Sequence, residues 1–167
     1  MFILHFLKMK NKTAIFPGTF DPLTFGHIEI INNSLKLFEK IIIAIGKNST
    51  KKQMFDIETR KKFIQVVYQE KLDNILIHEY DGLTIELCEK MNIDHIIRGV
   101  RNTRDFEYEN DLFHANQNLN KQIQTLFFPT STKTNFISSS IVRDIILHNG
   151  DLKNFLPEDI INMIQKN

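Results

Sequence analysis

The stretch Lys40–Gly46, KIIIAIG, is apolar at every position from Ile41 to Ile45. A strand with one wet face alternates apolar and polar residues, so an unbroken run predicts a strand covered on both faces, as in a parallel sheet with helices on either side. Gly46 then opens the loop at its C-terminal end. Working outward, a strand at 13–17 and a helix at 27–38 come before it. After it come helix 57–70, strand 74–78, helix 84–92, strand 95–98, helix 105–118, strand 123–128 and helices near 139–148 and 158–165. This β–α alternation predicts an α/β fold with a doubly wound parallel sheet, whose ligands bind at the C-terminal ends of the strands. Asp56 suits the N-cap of the helix starting at Ile57, Gly150 suits the end of the helix over 139–148, and Pro157 suits a first helical position. No linker, repeat or low-complexity segment interrupts the series, so residues 13–167 read as one domain behind an N-terminal leader, residues 1–12.

The chain of 167 residues is long enough to bury roughly 70% of the surface of its unfolded form without a metal or disulfide staple. A formal net charge of +1 gives little support to a broad nucleic-acid surface, while a local arginine cluster remains suited to a small polyanion. The single cysteine, Cys88, rules out an internal disulfide and a polythiolate zinc site, in keeping with a reducing cytoplasm. In LTIELCEKM it shares a helical face with Thr84, Leu87 and Met91 and reads as a buried structural thiol. The short apolar run Phe2–Leu7 is broken by His5 and followed by its lysines, which is too short for a membrane span and the wrong polarity for a secretory signal. Met9 is an alternative start, and residues 1–8 are expected to be dispensable.

Three strand-to-helix junctions carry groups suited to phosphate. In FPGTFDPLTFGHIEI, residues 16–30, Gly18 permits unusual backbone angles and close approach, Thr19 offers a hydroxyl and an amide, and His27 opens a helix whose N–H groups favour an anion. A plain turn with a helix-capping histidine fits the same residues. In IIRGVRNTRDFEYEND, residues 96–111, Arg98 and Arg101 flank Gly99 directly after an apolar strand and can present two guanidinium forks from one loop. A solvated charged turn is the alternative. In NFISSSIVRDI, residues 135–145, three serines open an apolar-periodic helix, either to hold an anion or as redundant caps. Neither a Walker loop, nor a dinucleotide-binding glycine fingerprint, nor a metal-spaced histidine pair is present.

Taken together, PGTFDPLTFGH, TKKQMF, IIRGVRNTRDFEYE, FISSSIVR and GDLKNFLPEDI resemble, in order and over nearly everything from residue 13 onward, the bacterial phosphopantetheine adenylyltransferases of the nucleotidylyltransferase superfamily. The resemblance implies a Rossmann-like sheet of the nucleotidylyltransferase type. It implies ATP and 4′-phosphopantetheine as substrates, with dephospho-coenzyme A and pyrophosphate as products in the penultimate step of coenzyme A synthesis. It also implies Mg²⁺ carried on ATP phosphates, a cytoplasmic homohexamer, and no nucleic-acid or membrane partner. Transferred position by position, it assigns catalysis to His27, Thr19, Lys51 and Arg101. Phosphopantetheine falls to Thr19, Lys51, Thr84 and Arg98. ATP falls to Thr19, Phe20, His27, Gly99, Val100, Arg101 and Glu109, and to Thr134, Asn135, Phe136, Ile137, Ser138, Ser139 and Ser140. Two positions depart from the family pattern: Phe25 replaces the usual Asn before Gly-His, and Phe16 replaces a common Tyr.

Overall fold

A computed structural model describes residues 13–47, 53–71 and 73–166. The leader and Lys51 lie outside the described residues. Strands β1 (Thr13–Gly18), β2 (Lys40–Gly46), β3 (Ile75–Tyr80), β4 (His95–Val100) and β5 (Gln124–Pro129) form one all-parallel sheet in the order β3-β2-β1-β4-β5. Between and after them run helices α1 (Phe25–Ser34), α2 (Ile57–Tyr68), α3 (Thr84–Met91), α4 (Thr103–Leu119), α5 (Ser139–Leu147) and α6 (Glu158–Gln165).

The β2 run behaves as its composition demands. Ile41, Ile43 and Ile45 pack with Phe63, Ile64 and Ile31 on one face, while Ile42 and Ala44 pack with Ile85, Leu87 and Cys88 on the other. Each fully buried isoleucine contributes about 1.5–3 kcal/mol relative to exposure. Because parallel crossovers are right-handed, helices following strands that step one way across the sheet cover one face, and helices following the opposite steps cover the other. The order reverses between β1 and β4. There the ladder holds a single pair, Ile15↔Ile96, against six pairs between β1 and β2. Pro17 has no N–H with which to extend the ladder, so a crevice opens at the strand ends.

Three boundaries differ from expectation for identifiable reasons. Helix α1 ends at Ser34 rather than 38, yet Phe38 remains buried from the following turn, which prolonged the apolar period in the sequence. Helix α4 starts at Thr103 rather than 105 because the Asn102 side chain caps it, accepting the Asp105 N–H at 3.0 Å. Pro157 is the N-cap of α6 and not its first helical residue. Asp56 caps α2, accepting the Thr59 N–H at 2.7 Å. Gly150 follows α5, but Asn149 takes the left-handed angle (φ 54°), while the Gly150 N–H bonds to the Ile145 carbonyl at 2.9 Å.

Candidate active site

A cavity of about 470 Å³ fills the crevice beyond the ends of β1 and β4. A larger, more open hollow of about 1030 Å³ lies near the opposite strand ends, beside Thr13, Asp94 and Gln122. Its described lining includes Glu89 and Asp94 but no lysine, arginine or histidine, a poor match for a polyanion. The smaller cavity is lined by Thr19, His27, Arg98, Gly99, Arg101, Glu109, Ile137 and all three serines of the α5 start. The three junctions singled out in the sequence therefore meet in one place.

The β1–α1 turn is built differently from the expectation for Gly18. Its φ is not positive; the left-handed residue is Phe20 (φ 49°), whose 1% exposed ring folds back over the glycine. A Cβ at Gly18 would stand 3.0 Å from that ring, so glycine makes room for Phe20 rather than for an unusual turn angle of its own. The Phe20 ring stacks edge-on against Phe16, and Phe20 does not line the cavity. The turn continues through a cis Asp21–Pro22 peptide.

Asp21, 2% exposed, accepts the backbone N–H groups of Met54 and Phe55, both at 2.9 Å. Beside it Arg60, 1% exposed, donates to the Thr19 carbonyl (2.8 Å), the Gln53 side chain (2.8 Å) and the Asp56 carbonyl (3.4 Å). Burial lowers the Arg60 pKa from its ordinary value, opposed by the charges of Asp21 and Asp56. These two side chains fasten the turn bearing Thr19 to the segment leading into α2. Sequence reading missed both.

His27 stands at the third position of α1 and not at its first residue, with Thr24 as N-cap. The Thr24 N–H donates to Nδ1 at 3.1 Å, so the neutral ring carries its proton on Nε2. Capping and ligand binding, alternatives in the sequence, use different nitrogens here and are compatible. The ring packs against Phe20 with centroids 5.1 Å apart. Burial, and secondarily the charge of Arg101, lowers its pKa to about 4, so at neutral pH it is an uncharged donor.

Arg98 projects from within β4 rather than from a loop. Its Nε and Nη2 donate to the two carboxylate oxygens of Glu109 at 2.5 Å each, and Nη1 reaches the Pro17 carbonyl at 3.4 Å. Arg101 donates to Asp105 (2.6 Å) and to the Ile137 carbonyl (3.5 Å). Between them a Cβ at Gly99 would stand 2.1 Å from the Cδ1 of Ile30 on α1, so any side chain there would force that buried isoleucine to shift. The serines are individually engaged. Ser138 caps α5, accepting the Ile141 N–H (3.2 Å); Ser139 donates to the Pro22 carbonyl (3.0 Å); Ser140 accepts from Arg143 (3.2 Å).

Arg143 was also missed by sequence reading. It lines the cavity and donates to the Asp21 carbonyl at 2.7 Å. Its signal was present as a basic residue one turn after the serines, on their face of the helix. Val100, Thr134, Asn135 and Phe136 do not line the cavity; the Thr134 hydroxyl bonds to Glu29, and Phe136 is 52% exposed. Thr84, hydrogen-bonded to the Tyr80 hydroxyl at 3.1 Å, lines an adjoining cavity of about 180 Å³ with Leu83, Leu112 and Phe113. That second cavity shares Pro17, Arg98 and Glu109 with the first.

A sequence family described as cytidylyltransferase-like matches residues 15–145. A phosphopantetheine adenylyltransferase of Flavobacterium psychrophilum is 50% identical over 149 residues, 89% of this chain and 97% of its own length. The chain belongs to the phosphopantetheine adenylyltransferase family. A second relative of that name, from Helicobacter pylori, is 42% identical over 156 residues, 93% of this chain and 99% of its own. The solved nicotinic acid mononucleotide adenylyltransferase of Plasmodium falciparum superposes with a TM-score of 0.72 at 16% identity, covering 93% of this chain and 95% of that one. The last likeness extends to the fold alone. In this member of the phosphopantetheine adenylyltransferase family, the cavity between the ends of β1 and β4 is where the three strand-to-helix junctions rich in phosphate-suited groups meet.

Proposed function

We propose that this chain catalyses reversible adenylyl transfer from ATP to 4′-phosphopantetheine. A phosphate oxygen of the acceptor attacks the α-phosphorus of ATP, the bond to the β-phosphate oxygen breaks, and dephospho-coenzyme A and pyrophosphate leave. The observation that carries the reading is the convergence of Thr19, His27, Arg98, Arg101 and the α5 serines on one cavity, in a chain 50% identical to a relative of that name. The acceptor phosphate is already largely dianionic near neutrality, with a second pKa of about 6, so no general base is required. What the protein supplies is alignment of two repelling polyanions and donors where charge grows. Thr19 and the Nε2–H of His27 would meet the reacting phosphates, Arg101 and the serine helix the nucleotide, and Arg98 the acceptor. The adjoining cavity, with its leucines and Phe113, suits the pantetheine arm. Lys51 keeps its proposed role with phosphopantetheine on the resemblance alone.

Mg²⁺ would arrive on ATP. Among the described residues no group of three His, Cys, Asp or Glu side chains is disposed to hold a metal, and the cavity offers hydroxyls and guanidinium groups instead. Such an ion characteristically keeps waters and binds through substrate phosphates, where it neutralises charge. No described helix is long and apolar enough to cross a membrane. Cytoplasmic location is supported by the single, buried cysteine. A homohexamer is supported by the family resemblance and by the exposed Phe106 and Leu119 on α4; light scattering tests it, and an active monomer over a wide concentration range would exclude it.

The decisive experiment incubates the purified full chain with ATP, Mg²⁺ and 4′-phosphopantetheine and identifies products by mass. Dephospho-coenzyme A and pyrophosphate are expected. Their absence under conditions in which the Flavobacterium psychrophilum relative turns over would overturn the reading. Nucleotide binding without exchange of label between pyrophosphate and ATP in the presence of dephospho-coenzyme A would indicate a sensor.

A further inference from the structure

We propose that Glu109 is an internal stand-in for the acceptor's phosphate, holding the Arg98 fork until phosphopantetheine displaces it. The inference rests on the proposed role of Arg98 at the acceptor. Glu109, 8% exposed, is the one buried residue of α4, an unusual choice for a helix to turn inward. Its side chain is 10% exposed and that of Arg98 25%, and the two make a two-pronged pair, the hydrogen-bond pattern by which a guanidinium also grips two oxygens of a phosphate monoester. The pair also stands between the two cavities, since both residues line each of them. An anion arriving from either side meets a cation whose charge is already matched.

Two consequences follow from this position. Binding of a phosphate at Arg98 is an exchange of one anion for another, so the measured affinity is the difference between two similar interactions. Any weakly bound phosphate ester is thereby rejected unless its remaining groups contribute, here through the adjoining apolar cavity. Turning Glu109 away from Arg98 also removes part of the wall, joining the nucleotide cavity to the arm cavity at the point where the acceptor must reach α-phosphorus. Glu109 thus acts as a positioning and selectivity residue.

The test measures binding of inorganic phosphate and of 4′-phosphopantetheine, without ATP, by calorimetry at fixed ionic strength in the parent and in Glu109→Gln. The amide keeps the side-chain volume and one acceptor oxygen but leaves the guanidinium charge unmatched, a state that a phosphate relieves. Both ligands are expected to bind about tenfold more tightly to the variant, and the gain should vanish when Arg98→Met is added. A purely structural Glu109 would lower the unfolding midpoint with unchanged or weaker phosphate binding, and that result overturns the proposal. So does a gain that survives loss of Arg98, or one confined to inorganic phosphate. If Glu109→Gln does not unfold cooperatively, Glu109→Asp, whose carboxylate is withdrawn by one methylene, should give a smaller gain of the same sign, and no gain rejects the idea. Turnover of the parent is measured alongside, so failure of the exchange is distinguished from failure of the proposed activity.

Discussion

His27→Ala is expected to lower kcat by roughly a hundred- to thousandfold while changing ATP affinity far less. The ring's proton lies on Nε2 because Thr24 donates to Nδ1, leaving a neutral donor for charge that develops during transfer. Losing one such donor costs about 2.7–4 kcal/mol of transition-state stabilisation. The same substitution removes a helix cap, so a loss of about 1 kcal/mol in stability should accompany it. His27→Gln separates the two effects, since glutamine at this helical position can reach back to the N-cap amide. It should restore the cap and not the rate. A near-normal single-turnover rate in His27→Ala would leave the histidine as a cap alone. Acidity provides a second readout. The unfolded ring takes up a proton below about 6.5, whereas the folded ring resists until about 4. The stability His27 confers is therefore whole above the first value and lost as pH falls towards the second. Urea unfolding at a series of pH values should show this dependence weakened in His27→Gln; an unchanged dependence would locate the titration elsewhere.

Arg60→Ala is expected to cost about 3–5 kcal/mol of stability, a large part of what a domain possesses, because it strands buried partners as well as opening space. The Thr19 carbonyl and the Gln53 side chain lose their donor, and the Asp21 carboxylate loses a neighbouring positive charge. Arg60→Met, which fills much of the volume without donating, should recover only a minor part. Denaturant titration decides the matter: a loss below about 1 kcal/mol, or full recovery in the methionine variant, would reduce Arg60 to packing. Any folded Arg60→Met should also show a lower kcat, since the Thr19 turn loses a tether at the reacting end of β1.

Local signals in the sequence were reliable where the physics is local. Residues Ile41 to Ile45 announced a strand with two buried faces, and the serines of α5 announced a helix start. Their supporting network was not legible in the same way. The Asp21 carboxylate meets amides 33 and 34 residues away, and Arg60 meets a carbonyl 41 residues away. No periodicity encodes such pairs; they exist only once α2 is docked beside β1. The same limit explains Gly18, whose neighbour Phe20 bears the unusual angle, and Glu109, which the family resemblance set beside ATP and whose carboxylate holds the Arg98 fork. Position transfer from the family also set Phe20, Val100 and Thr134–Phe136 beside the nucleotide, whereas their side chains do not line the cavity of this protein.

Cys88 has a bearing on how a sulfur-bearing substrate can be handled. 4′-Phosphopantetheine ends in a thiol, and Thr84, which lines the proposed arm cavity, lies one turn before Cys88 on α3. A reactive cysteine there would capture an oxidised acceptor as a mixed disulfide. Cys88 is instead 0% exposed, and its pKa is pushed up to about 12 by burial and by Glu89, so almost no thiolate exists to attack. As the sequence contains no other cysteine, mixed-disulfide formation with an oxidised acceptor would have to wait for Cys88 to be uncovered, so oxidation of the acceptor is expected to deplete substrate before it modifies the folded chain.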